Sequence, residues 1–214
     1  MSVKDFMSAN LVVVDPKTKI FDAVDLMKQH DIHRLPVVEN SKLVGLITEG
    51  TIQEALPSKA TSLSVYEANY LLNKTVVADV MIKDVKTIHP EAQLEDAVYA
   101  MRENNIAVLP VLDNDQIVGI ITNNDIFDAF LKLAGYHDGG SRIQVRIQQD
   151  KKGVLAEIAK VLADNDYSIL TVIIDHVDGA AIVELQMQAK EPEKIKALLE
   201  QAGFTVTAAV LTNP

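Results

Sequence analysis

Between Gly119 and Ile126 the chain reads Gly-Ile-Ile-Thr-Asn-Asn-Asp-Ile. Thr122 brings a hydroxyl, Asn124 an amide and Asp125 an acceptor carboxylate, groups that suit a sugar with neighbouring hydroxyls. An apolar β run ends at Thr122 and a helical pattern starts near Asp125. A short strand-to-helix turn of this kind aims free backbone N–H groups outward, where an anion gains from the positive end of the helix dipole. Sugar plus anion points to a nucleotide. Asn124 or Asp125 serves equally well as an ordinary helix cap, and the residues alone leave both readings open. On the ligand reading, Asp125→Ala is expected to remove binding while leaving the unliganded protein about as stable as before.

Other side chains with reactive chemistry are scattered. Of the five histidines, only His30 and His33 are near neighbours, and the helical pattern ends between them with no carboxylate at a zinc-like spacing. There is no Gly-x-Ser-x-Gly elbow, phosphate-binding Gly-Lys loop or dinucleotide fingerprint. Met27 and Met101 fall on helix faces as core residues. The expectation is a protein without enzymatic activity, bound metal or required cofactor.

Composition narrows the partners. A formal net charge of −10 repels polyanions, and no cluster of basic residues interleaved with aromatics counters it, so nucleic-acid polymers are not expected to bind. A small phosphorylated ligand needs only a few local donors. No apolar run approaches a membrane span, and residues 1–10 lack the pattern of a signal peptide. Cysteine is absent, which fits a reducing compartment, and the expected location is the cytoplasm with no membrane partner.

The elements that would position Thr122 and Asp125 occur twice. Leu11 to Val14 is extended, Asp15-Pro16 breaks it, and Ile20, Val24 and Met27 share a helix face. Leu35 to Val38 and Leu43 to Ile47 read as strands joined by a turn at Asn40-Ser41. A shift of 74 positions, the distance from Asp5 to Asp79, repeats the unit without a gap. Met7 then meets Met81, Asp22-Ala23-Val24 meets Asp96-Ala97-Val98, Leu35-Pro36-Val37 meets Leu109-Pro110-Val111, and Ile47-Thr48 meets Ile121-Thr122. The two copies must share a fold. Residues 57–76 read as a structured helical connection, with Ser64 and Glu67 forming a capping box.

After Ala134 the glycines at 135, 139 and 140 mark a boundary. Beyond it the order is strand, helix, strand, strand, helix, strand, with the two middle strands broken at Asp178-Gly179; this is the ferredoxin-like arrangement. Helices cover one face of such a sheet, so its open face or edge is expected to be hidden by a second copy.

The repeated unit resembles a tandem pair of CBS domains, and the C-terminal part resembles an ACT domain. The implied fold class is α+β: two CBS repeats packed as one Bateman module, followed by a βαββαβ ferredoxin-like ACT domain. The corresponding segments are residues 1–56 and 77–134 for the repeats, 57–76 for the helical connection, 135–141 for a linker and 142–214 for the ACT domain.

The CBS resemblance implies a cleft for an adenosine-containing ligand such as AMP or ATP, with NAD, S-adenosylmethionine or cyclic di-AMP as further candidates. It assigns the ribose- and phosphate-contacting role to Thr122, Asn124 and Asp125, supported by Gly119, Ile88 and Pro110, with His33, Arg34 and Thr48 joining from the first repeat. Arg34 is read either as a phosphate ligand across the disc or as an ordinary surface ion pair. In the first repeat Thr51 stands where the carboxylate belongs, so one good cleft and one altered cleft are expected. The ACT resemblance offers Asp150, Gly153 and Val154 as a ligand loop, although Lys152 stands where that family has Pro, and a purely dimerising ACT domain fits as well. The whole order is similar to bacterial acetoin-utilisation-type (AcuB-like) regulatory proteins. What this implies is a homodimeric, non-catalytic sensor with a client protein, or a docking module indifferent to nucleotide.

Overall fold

The computed structural model describes residues 1–55, 74–149 and 151–212. Two compact units divide the chain, Met1–Ile126 and Phe127–Pro214. No helix among the described residues is long and apolar enough to cross a membrane.

The first unit contains two hairpins built alike. β1 (Arg34–Glu39) pairs with β2 (Lys42–Thr48), and β3 (Val108–Asp113) pairs with β4 (Gln116–Thr122), both antiparallel. Each turns through two residues at positive φ, Asn40 and Ser41 in one and Asn114 and Asp115 in the other, a backbone that Asn and Asp tolerate and that matches the twist of the strands. Each bulges at the same place, Val37/Val38 and Val111/Leu112. The helices are α1 (Ile20–His30), α2 (Glu49–Ala55), the single turn α3 (Val77–Val80), α4 (Leu94–Glu103) and α5 (Asn123–Leu133), in which the first unit ends. α1 buries Ile20, Ala23 and Met27; α4 buries Leu94, Ala97 and Met101, the same positions one repeat later. Leu35, Val37 and Ile47, with their counterparts Leu109, Val111 and Ile121, are wholly buried. A leucine so placed contributes about 2–5 kcal/mol against truncation to Ala.

The start of each repeat is bonded to the other repeat. Val3 N–H donates to Ala92 O and Val77 N–H to Thr18 O, both at 2.9 Å; Ser8 bridges to Ile120 and Ile82 to Leu46. This exchange explains two glycines. A Cβ on Gly119 would overlap the sulfur of Met7, and one on Gly45 would overlap the sulfur of Met81, so each strand gives up its side chain to admit the other repeat's methionine. Leu11 to Val14, read as extended, forms no strand of its own; only Val14 bridges to Val37. The helix expected around Ser64 to Glu67 lies outside the described residues.

In the second unit β5 (Gly140–Ile147), α6 (Val154–Ala163), β6 (Ile169–Val177), β7 (Ala180–Met187), α7 (Pro192–Gln201) and β8 (Thr205–Thr212) follow the expected βαββαβ order. The sheet is antiparallel with the order β6-β7-β5-β8. Ile143, Val145, Leu185 and Met187 pack with Ile158 and Leu162 of α6 and Ile195 and Leu199 of α7 into one core. Gly140 and Ser141, read as linker, open β5, and the unit begins before the glycines. Arg142 Nη2 donates to Ala134 O at 2.8 Å, and Gly135 lies against the side chains of Gln186 and Thr171, which ties residues 134–140 to this sheet. Alternate positions on β5 and β7 place Arg142, Gln144, Arg146, Ile182, Glu184 and Gln186 opposite the helices, and the register adds exposed Ile173 of β6 and Val210 of β8, so that face is mixed. Exposed apolar side chains run along the β6 edge, where Leu170, Val172, Ile173, Ile174 and Val177 are all at least 40 % exposed, and Val210 and Leu211 are exposed on β8 at the other edge.

Candidate functional site

Thr122 closes β4 and Asp125 lies in the first turn of α5, so the site is built on a strand-to-helix junction. The carboxylate caps the helix. Asp125 Oδ2 accepts from the backbone N–H and from the hydroxyl of Thr122, both at 2.7 Å, while the Asp125 N–H lies 3.4 Å from Thr122 Oγ1. Asp125 Oδ1 has no hydrogen bond among the described residues. Capping therefore uses one oxygen and leaves the other.

Asp125 borders a cavity of about 290 Å³. Ser8, Asn10, Leu11 and Val12 form one wall, Asp31, Ile32, His33, Arg34 and Pro36 another, and Ile120, Thr122, Asn123, Asn124 and Asp125 the floor. The volume is close to the lower end of ligand pockets, about 300 Å³. Apolar side chains on both walls suit a planar base, and Asp125 suits the sugar.

A second cavity, of about 550 Å³, is its counterpart. The 74-residue shift carries Ser8, Asn10, Leu11 and Val12 onto Ile82, Asp84, Val85 and Lys86, and carries Ile120, Thr122, Asn123 and Asn124 onto Leu46, Thr48, Glu49 and Gly50, all of which line it. Thr51, which answers to Asp125, is not in this lining. Its hydroxyl accepts from Thr48 N–H at 3.0 Å and donates to Thr48 O at 2.9 Å. Thr51 thus performs the capping half of Asp125's work and supplies no carboxylate oxygen to the cavity.

Of the residues singled out in the sequence, Thr122, Asn124 and Asp125 line the smaller cavity, Thr48 the larger, and His33 and Arg34 both. Gly119, Ile88 and Pro110 line neither. Gly119 is occupied by Met7, Ile88 is bonded along its backbone to Pro110 and Leu112, and Pro110 is buried in the β3 ladder. Arg34 Nη1 donates to Ala107 O at 2.7 Å, a contact between repeats and not the surface ion pair considered above. Partial burial lowers the Arg34 pKa from its usual value, and the Asp125 carboxylate pulls it back up. His33 Nδ1 lies 3.2 Å from the Glu49 carboxylate. Sequence reasoning missed the walls supplied by Ser8 to Val12 and Ile82 to Lys86; the repeat aligned them with each other, but only segment exchange brings them to the floor of the opposite hairpin.

In the second unit Gly153 takes φ +98 at the N-terminus of α6 and its Cβ position meets nothing. Val154 N–H donates to Lys151 O at 3.2 Å and its side chain packs on the core, so Val154 is structural; Asp150 lies outside the described residues. Among the described residues no group of three His, Cys, Asp or Glu side chains is placed to hold a metal.

Known proteins match along both units. The family model for the CBS domain matches residues 3–58 and 77–132, and that for the ACT domain matches residues 141–204. The acetoin utilization protein AcuB from Vibrio cholerae is 28% identical, with a TM-score of 0.54 over 64% of this chain and 96% of that one. CBSX2 in complex with AMP is 31% identical, with a TM-score of 0.52 over 62% of this chain and 97% of that one. The CBS domain pair of protein MJ0100, in complex with 5-methylthioadenosine and S-adenosyl-L-methionine, is 29% identical, with a TM-score of 0.51 over 61% of this chain and 95% of that one. Among curated relatives, the chain spans 82% of one short CBS protein and 23% of several longer enzymes.

Proposed function

Because this chain belongs to the CBS-domain family and carries an ACT domain after its two repeats, we propose that it is a non-catalytic regulatory protein that senses an adenosine-containing nucleotide in the smaller cavity. The supporting observation is the Asp125 carboxylate, which caps α5 through one oxygen, makes no hydrogen bond through the other among the described residues, and borders the smaller cavity. A carboxylate oxygen accepts from both hydroxyls of a ribose, and each charge-assisted bond is worth about 1.5–3 kcal/mol. AMP, methylthioadenosine and S-adenosylmethionine, the ligands of the two similar complexes, share adenosine and differ beyond it. Adenosine is therefore the part to be recognised, with the group at its 5′ side setting the choice among candidates.

The test is a thermal-shift panel of AMP, ATP, NAD, S-adenosylmethionine and cyclic di-AMP against the full chain. A ligand at a hundredfold excess over its dissociation constant stabilises the fold by about 2.7 kcal/mol, a rise of several degrees for a protein of this size. No rise with any of the five overturns the proposal.

Signalling runs through self-association in the cytoplasm, with a client protein reading the outcome. The β6 edge, apolar on both faces and unpaired on one side, is the surface that a second copy would cover by strand pairing. The same edge favours a second reading, a docking module that dimerises whether or not nucleotide is present. Sedimentation with and without the ligand found in the panel separates the two.

A further inference from the structure

The two cavities are lined by matching segments under the repeat shift, and they differ in their charged residues. His33 and Arg34 answer to Ala107 and Val108, so the second repeat has no counterpart of either basic residue. Yet His33 and Arg34 line both cavities. Among the described residues that line the smaller cavity, Arg34 is the only lysine or arginine, and it shares the lining with Asp31 and Asp125. In the larger one Lys86 is the other, held at 3.1 Å from Asp84, which shares that lining. A guanidinium has five N–H donors, and the described residues use one of them, on Ala107 O. The remaining fork suits a phosphate far better than a lysine ammonium does.

We infer that Arg34 serves as the phosphate-holding residue of both cavities in turn, so that a phosphorylated nucleotide in one weakens the binding of a second in the other. This rests on the nucleotide reading above and adds a rule of occupancy to it. Two phosphates drawn to one guanidinium repel each other and compete for the same planar fork, whereas two uncharged nucleosides do not. The clefts are coupled through charge and need no change of fold.

Titration calorimetry of the full chain with adenosine and with AMP tests this, on the parent protein and on Arg34→Met, which keeps the apolar stem. In the parent, two adenosines bind with affinities set by each cavity alone. The first AMP binds at least about tenfold tighter than adenosine, and the second loses about tenfold relative to the ratio of the two adenosine steps, within the ordinary range for coupled sites. In Arg34→Met, with each step referred to that variant's own adenosine affinity, AMP loses its advantage at the first step and its penalty at the second. Equal AMP-to-adenosine ratios at both steps in the parent overturn the inference, as does persistence of the unequal ratios in Arg34→Met. A single adenosine step per chain overturns it too, because both cavities must fill. Absence of binding by either compound removes the nucleotide reading itself, a distinct failure.

Discussion

On the proposed reading Asp125 has two duties on one carboxylate, and substitutions separate them. Asn at this position keeps an oxygen to accept from Thr122 N–H and so preserves the cap, but it loses the charge and the second acceptor. Asp125→Asn is expected to melt within about 0.5 kcal/mol of the parent without ligand, and to bind the nucleotide at least about tenfold more weakly. Asp125→Ala loses the cap as well, at a cost of about 1 kcal/mol. That cost corrects the expectation that Ala would leave the unliganded protein unaffected, an expectation that overlooked the reciprocal bonds with Thr122. Calorimetry beside chemical denaturation measures both quantities; an Asn variant that binds as tightly as the parent returns Asp125 to capping alone. The chemistry of this residue was legible in the sequence because a hydroxyl, a turn and a carboxylate are neighbours there. Arg34 was half legible, since its type marks phosphate recognition but its reach into two cavities depends on residues 73 positions away.

The hairpins and helices followed from local pattern, and their duplication was visible as a 74-residue shift. The exchange of opening segments was not, because Met7 and Gly119 each look ordinary in their own surroundings. Their contact makes a measurable claim. Gly119→Ala should destabilise the protein by about 1–3 kcal/mol through overpacking against the Met7 sulfur. Truncating that partner in the same chain, Gly119→Ala with Met7→Ala, should recover part of the loss, and urea denaturation of the two single variants and the double variant closes the cycle. Additive costs would mean that the two residues do not meet. The linings of both cavities depend on the same exchange, since Ser8 to Val12 and Ile82 to Lys86 follow directly from the swapped segments.

On the proposed reading, self-association joins the two clefts to the ACT unit in a single equilibrium. Cover for the open face or an edge of the ACT sheet is the expectation from sequence, and β6 exposes apolar side chains along an unpaired edge. Ile173→Lys, at a position already 40 % exposed, should leave the fold and the thermal shift intact while moving the protein to monomer in sedimentation velocity. In the parent, nucleotide should change the dimer dissociation constant by about 5- to 150-fold, and dimerisation should change nucleotide affinity by the same factor. A dimer constant indifferent to nucleotide would favour the docking module over the sensor.

Periodicity, turn residues and the internal repeat are properties of neighbours along the chain, and they carried the element order, the two architectures and the likeness of the two repeats. They also carried the loss of a carboxylate at Thr51, because a missing functional group is plain wherever a repeat supplies the comparison. Which segments wall each cleft, why Gly119 and Gly45 lack side chains, and how one arginine comes to border two cavities were settled by packing between residues far apart in sequence. Such contacts leave no local trace. Their energy is realised only when the two repeats close on each other, and a side chain's role then depends on what the other repeat places against it.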